Sequence, residues 1–291
     1  MALASAPGLG MEPRQLIVNA DDFGLTPGIG RAIVQAHADG IVTSASAIAL
    51  GPAFAESARM LDDAPELGIG LHLALVGEDP PMLSAREIPT LVDARGRLAS
   101  SWRAFVLRAA RGRVDPADVA RELTAQAARV VGLGRPITHV DSHQHLHLWP
   151  VVRGAAIAIA KAHGIPAIRL PRSAGGRLAG WGVNWLARGL ARDAAAAGLA
   201  FPAAFAGFDE AGRLDAGTRD RALDALASTG SAVCELGAHP GTADDPARAR
   251  YAWGYRWADE LAALSGPSAR EAVARRGFTL ASFAALAPVL R

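Results

Sequence analysis

Short apolar runs alternate along the chain with longer segments whose apolar positions recur at helical spacing. Seven runs read as strands: 15–20 (QLIVNA), 43–50 (TSASAIAL), 67–76 (LGIGLHLALV), 137–147 (ITHVDSHQHLH), 167–172 (AIRLPR), 203–208 (AAFAGF) and 232–238 (AVCELGA). Helices are expected between them at 28–39, 52–64, 116–132, 150–163, 181–197 and 217–228, with one or two more over 256–290. Local signals agree: Asp115-Pro116 sets a cap residue before proline at a helix start, and His163-Gly164 closes another helix on glycine. Such alternation implies α/β architecture, a parallel sheet covered by helices. An open doubly wound sheet and a closed or nearly closed barrel both fit it. Residues 1–14 read as a loose tail, with Met11 an alternative start, and 15–291 as a single domain. The stretch 77–115, with Pro80, Pro81 and Pro89, reads as a partly helical excursion near the site.

Composition narrows the class. Half the 291 residues are apolar, but no run approaches the ~20 apolar residues that a membrane span needs. The first residues lack a basic segment followed by an apolar one, so no secretory signal is expected. The single cysteine, Cys234, excludes an intramolecular disulfide and suits the cytoplasm. Net charge is +2, and the arginines are scattered, so no nucleic-acid footprint is read. After the first strand, NADDFGLTPGIG lacks the G-x-G-x-x-G spacing and puts two carboxylates where a pyrophosphate would need N–H groups, which disfavours a dinucleotide.

Reactive side chains gather at strand C-termini, the edge where α/β folds build their sites. Asp21 and Asp22 end the first strand, His72 lies in the third, and Asp141, His143, His145 and His147 end the fourth. Arg169 and Arg172 end the fifth, and His239 follows the seventh. Each has a plain alternative. Asp21-Asp22 suits a helix N-cap, His72 a satisfied core histidine, and HVDSHQHLH a polar strand face. If 137–147 is one strand, His139, Asp141, His143, His145 and His147 share a face, yet at ~3.3 Å per residue only one or two can reach the same ion. A divalent ion held by one carboxylate and two imidazoles would keep open positions, as catalytic sites do. Trp181 and Trp185, and the alternating Tyr251, Trp253, Tyr255 and Trp257, read as core or subunit-contact residues, with sugar stacking or lipid contact as the alternative.

NADDFGLTPGIGRAI, GIVTSASAIALGPAF, LGIGLHLAL, THVDSHQHLH, ELGAHPG and the ending YAWGYRW…RGFTLASFAAL occur in that order. Together they closely resemble the YdjC-like family of carbohydrate deacetylases, which includes chitooligosaccharide deacetylases and a hopanoid-biosynthesis-associated branch acting on a glycolipid amino sugar. The resemblance implies a TIM-like (β/α) barrel related to polysaccharide deacetylases, incomplete at about seven strands. It implies one divalent metal ion (Zn, Mg, Mn, Fe or Co) on Asp22, His72 and His143, with Asp21 as general base and His239 as general acid. Asp141, His145, His147 and Arg172 would support the site or bind substrate, an N-acetylated sugar or glycolipid. Another barrel metal hydrolase (phosphoesterase or amidohydrolase) and a non-catalytic sugar-binding relative are the competing readings. Homodimerisation is left open.

Overall fold

The computed structural model describes residues 14–175 and 178–286. In chain order the elements are β1 (Arg14–Phe23), α1 (Pro27–Ala38), β2 (Ser44–Ala47), α2 (Phe54–Met60), β3 (Gly68–Leu73), α3 (Trp102–Ala110), α4 (Pro116–Val131), β4 (Ile137–Ser142) and α5 (Pro150–Ala162). They continue with β5 (Ala167–Ile168), α6 (Leu178–Ala196), β6 (Ala204–Ala206), α7 (Ala216–Ser228), β7 (Val233–Ala238), α8 (Trp257–Leu264), α9 (Gly266–Ala274) and β8 (Phe278–Leu280). All paired strands run parallel, in the order β5-β4-β3-β2-β1-β7-β6, with β8 alongside β1. The sheet curls until its edges nearly meet. Ala200, just before β6, bridges to Ala167 of β5, and the Ile168 N–H donates to the Ala200 carbonyl at 2.9 Å. The result is an incomplete (β/α) barrel.

Its central strand, β1, has eight consecutive buried residues from Leu16 to Phe23, as expected of a parallel strand covered on both faces. Helices lay apolar stripes on the sheet. On α4, Val119, Leu123, Ala127 and Val130 are buried at helical spacing, and the Asp115 side chain accepts the Ala117 N–H at 2.8 Å to start the helix before Pro116. Buried polar residues of α4 pin the excursion. Glu122 accepts the Met82 and Leu83 N–H groups at 2.9 and 3.0 Å, and Asp118 accepts the Thr90 N–H and O–H at 2.8 and 2.7 Å. A long loop so held satisfies its backbone without strands of its own.

Several expected boundaries move. The strand expected over 43–50 is confined to Ser44–Ala47, and that over 167–172 to Ala167–Ile168. The C-terminal segment holds two short helices and an eighth strand, which pairs with Arg14–Leu16 of β1 where β2 does not reach. Arg14 therefore belongs to the sheet, while the rest of the expected tail lies outside the described residues. The largest correction is at 137–147. The strand ends at Ser142, and a 3-10 turn follows in which Gln144 (φ 52°) and His145 (φ 55°) adopt the left-handed region. That reversal breaks the shared face expected for the histidines.

Candidate active site

The end of β1 brings two adjacent carboxylates to one place, which a regular strand forbids because neighbouring side chains alternate faces. A bulge solves the problem. Ala20 pairs with Ala45 and Phe23 with Ala47, so Asp21 and Asp22 together oppose the single residue Ser46. Asp22 takes φ 65°, a left-handed conformation that Asp tolerates better than most residues. The helix-cap alternative for this pair does not hold, because Thr26 caps α1 by accepting the Ile29 N–H at 3.2 Å.

Asp22 turns towards two imidazoles. Its Oδ1 lies 3.4 Å from His72 Nε2 and 3.2 Å from His143 Nδ1. All three residues are buried, and their ligand atoms lie within 4.8 Å of one another. Asp22 Oδ1 nevertheless has no hydrogen-bond partner, an expensive state for a buried carboxylate oxygen. Burial alone would raise the Asp22 carboxyl, but His143 and His72 hold it well below the usual range. His72 sits in register with Asp141 on β4, and the Asp141 carboxylate takes its Nδ1 at 2.8 Å, which leaves Nε2 aimed at Asp22. Burial would lower the His72 imidazole, yet Asp141 and Asp22 lift it to about 10. A one-carboxylate, two-imidazole set with an unpartnered oxygen at its centre fits a divalent cation.

Asp21 lies in a second cluster built on Arg169, the largest fully buried side chain. Arg169 holds both Asp21 oxygens at 2.7 Å, Asp141 Oδ2 at 2.7 Å and Glu235 Oε1 at 2.6 Å. Asn19 donates to Asp21 at 2.8 Å, and Ser46 donates to Asp141 at 2.7 Å. Burial would raise the Asp21 carboxyl, and Arg169 outweighs it. Glu235 resolves differently. Burial pushes it up to about 8 despite Arg169, so at neutral pH it is mostly protonated. One guanidinium thus serves two carboxylates and a carboxylic acid.

His239, directly after β7, places Nε2 3.8 Å from Asp21 Oδ2. Its backbone N–H donates to buried Glu260 at 2.5 Å. His145 and His147 do not join the Asp22 cluster. His147 is fixed between the Ser142 hydroxyl at 2.7 Å and the Arg169 carbonyl at 3.2 Å, and burial lowers it to about 4. His145 stacks on Phe208, with ring centroids 5.0 Å apart, at the cleft wall. His139, which shares the β4 face with Asp141, stacks on Phe283 at 3.8 Å, and burial lowers it to about 3. A Cβ at Gly70 would collide with that ring, so glycine in GIGLHL makes room for it. Arg172 makes no ion pair among the described residues; Arg169, three positions earlier, carries the ion pairs of the second cluster.

A cleft of about 510 Å³ opens over this group, lined by Asp21, His72, His143, His239, Trp102, Trp253 and Tyr255 among others. Trp253 lies 5.1 Å from the His143 ring, and Tyr255 lies 5.0 Å from that of His239. The alternating aromatics therefore divide: Tyr251 and Trp257 are buried, while Trp253 and Tyr255 face the cleft. The Trp102 backbone N–H donates to the Gln144 side chain at 2.7 Å, tying α3 to the turn that carries His143. Trp102, Gln144, His145 and Phe208 also line a neighbouring chamber of about 460 Å³, walled mainly by apolar residues such as Val106, Leu146, Leu148, Val183 and Leu186.

An incomplete parallel barrel with a buried Asp-His-His cluster beside an arginine-held carboxylate, at the C-terminal ends of its strands, defines a class of barrel with a built reaction site. The chain belongs to the YdjC-like protein family, whose sequence pattern matches residues 15–275. It is 31% identical over 272 residues to a carbohydrate deacetylase of Geobacillus stearothermophilus, covering 93% of this chain and 97% of the relative. It is 35% identical over 273 residues to a chitooligosaccharide deacetylase of Serratia marcescens, covering 92% and 97%. Among solved structures, a proposed cellobiose-phosphate cleavage protein of Enterococcus faecalis V583 superimposes with a TM-score of 0.78 at 27% identity, covering 95% of this chain and all of that one.

Proposed function

We propose that the protein is a metal-dependent carbohydrate N-deacetylase that hydrolyses the acetamide of an N-acetylated amino sugar to acetate and a free amine. The observation that carries this reading is the unpartnered Asp22 Oδ1 between two imidazoles, next to a separately anchored carboxylate, in a cleft walled by aromatic rings. The family relatives named carbohydrate and chitooligosaccharide deacetylases support the same chemistry. Asp22, His72 and His143 are the proposed ligands. A divalent cation held there, whether Zn, Mg, Mn, Fe or Co, would polarise the acetamide carbonyl and offset the charge on the oxyanion.

The chain's own residues supply the remainder. Asp21, oriented by the two-pronged contact with Arg169 and by Asn19, takes a proton from the attacking water. The water oxygen bonds to the carbonyl carbon, and the C–N bond then breaks as His239 protonates the nitrogen, which leaves poorly until it is protonated. Trp253 and Tyr255 offer faces on which a sugar ring stacks. The apolar chamber that shares four lining residues with the cleft favours a glycolipid over a plain oligosaccharide as substrate. A single buried cysteine suits a reducing compartment, and we place the enzyme in the cytoplasm.

The test is acetate release from N,N′-diacetylchitobiose, longer acetylated oligomers and an N-acetylglucosaminyl glycolipid, each with added metal. Asp21→Asn is expected to lower kcat by about a hundredfold or more while metal content stays unchanged. No acetate from any of these substrates, or full activity in Asp21→Asn, would overturn the reading.

A further inference from the structure

We propose that the outer face of α3 and α6 docks the protein onto an anionic lipid surface. Four of the six exposed large apolar side chains among the described residues lie on these two helices. Trp181 and Trp185 on α6 are 72% and 68% exposed and Leu107 on α3 52%, while Trp102 at the start of α3, 44% exposed, lines the cleft and the chamber. Apolar side chains normally avoid water, and tryptophan is favoured where an apolar body must meet a polar boundary. Trp181, Trp185 and exposed Arg188 follow one another at positions i, i+4 and i+7, so they occupy one helical face.

Charge adds an independent observation. Residues 94–114 hold six arginines and residues 172–192 four, with Asp93, Asp115 and Asp193 at their borders; Arg97 and Arg192 pair with Asp93 and Asp193. The whole chain carries only +2, so the remainder is net acidic. Arg103, whose guanidinium lies 5.2 Å from the Trp102 ring, and Arg188 have no carboxylate within 4.0 Å among the described residues. Trp and Leu beside unpaired arginine is the composition of a helix that lies in a bilayer interface. The two helices flank one opening, since Val106 of α3 and Leu186 of α6 wall the same apolar chamber.

A second copy is a poorer occupant. A two-fold contact through this face would bring the arginines of both copies together, and like charges disfavour that. Single-stranded nucleic acid would satisfy the arginines but leave Leu107 without a reason to be exposed. The proposal stands apart from the deacetylase reading, because docking is measured without turnover.

The experiment is flotation of the full chain with vesicles of phosphatidylcholine alone and of an equal mixture of phosphatidylcholine and phosphatidylglycerol. Binding is expected to the mixed vesicles and to weaken with salt. Replacing Trp181 and Trp185 by serine together should reduce partitioning by roughly tenfold or more, the loss of two interfacial anchors. Arg188→Gln alone should reduce it about fivefold, the equivalent of about 1 kcal/mol for a basic residue near an anionic surface. Because each substituted side chain is exposed, the unfolding midpoint should move little, and Arg188→Gln supplies the answer should the double variant fail to fold. Recovery of no protein with the mixed vesicles overturns the proposal. So does wild-type partitioning of either variant, a dimer in sedimentation that the tryptophan changes dissociate, or binding to a single-stranded oligonucleotide without binding to vesicles.

Discussion

Two buried charge clusters lie side by side at the top of this barrel, and they differ in one respect. Around Arg169 the positive charge comes from the chain itself, and Asp21, Asp141 and Glu235 are each within 2.7 Å of it. Around Asp22 no arginine or lysine approaches among the described residues; two imidazoles face the carboxylate, and one oxygen has no partner. Carboxylates buried against a fixed guanidinium are charge-balanced and held in place by it. A buried carboxylate that faces two imidazoles and keeps one oxygen unpartnered has the chemistry of a cation site, while Asp141, first of all, lifts His72 to about 10. On the function proposed above, the difference separates the base, Asp21, from the residues that would hold the cation. Asp141 touches both clusters, holding Arg169 with one oxygen and orienting His72 with the other.

The comparison breaks most visibly at Asp22. Asp22→Ala should leave the barrel folded but remove bound metal, measured by elemental analysis, and lower kcat by about a thousandfold or more. A variant that keeps both its metal and its activity would place the cation elsewhere. Arg169→Met attacks the other cluster, and its first effect should be on folding. It strands buried carboxylates, which costs about 3–5 kcal/mol in urea unfolding, with activity lost in proportion to the unfolded fraction and to a misplaced Asp21. Metal content of the folded fraction should survive better than in Asp22→Ala.

A smaller effect is set by pH. His147, beside Arg169, titrates near 4 in the folded protein against ~6.5 unfolded, so the unfolded state binds the extra proton between those values. Stability from this residue is therefore full above about pH 6.5 and falls as pH drops towards 4, by up to about 1.4 kcal/mol per unit. The stability advantage of the wild type over His147→Gln should shrink across that window, as read by thermal unfolding at a series of pH values. A constant difference would mean that His147 is not held neutral. The least effect is expected from Glu235→Gln. With the carboxyl already mostly protonated at neutral pH, the neutral amide should change stability by no more than about 1 kcal/mol and leave metal content unchanged. A loss as large as that of Arg169→Met would show Glu235 to be ionised.

Much of the sheet was legible in alternation alone, because apolar strands buried on both faces have a distinctive sequence appearance. β8 was not, because a three-residue strand inside a helical stretch carries too little pattern to separate from its surroundings. Within the site, residue types at strand ends pointed to Asp21, Asp22, His72, His143 and His239. Arg169 stood out less than Arg172, although an arginine directly after an apolar pair in a short strand was the available signal. Glu235 sits mid-strand in an apolar run, where only the cost of burying a lone carboxylate hints at a partner.

By itself the chain determined its alternating elements, its parallel sheet and the kinds of side chain at the reactive edge, since these follow from local spacing and residue chemistry. The tertiary structure alone decided which of them meet. A bulge at Asp21-Asp22 sends neighbouring carboxylates to different partners, and two left-handed residues after His143 remove His145 and His147 from the face that spacing assigned them. Such local backbone departures cost energy that only the surrounding packing and hydrogen bonds can offset, so no periodicity in the sequence announces them.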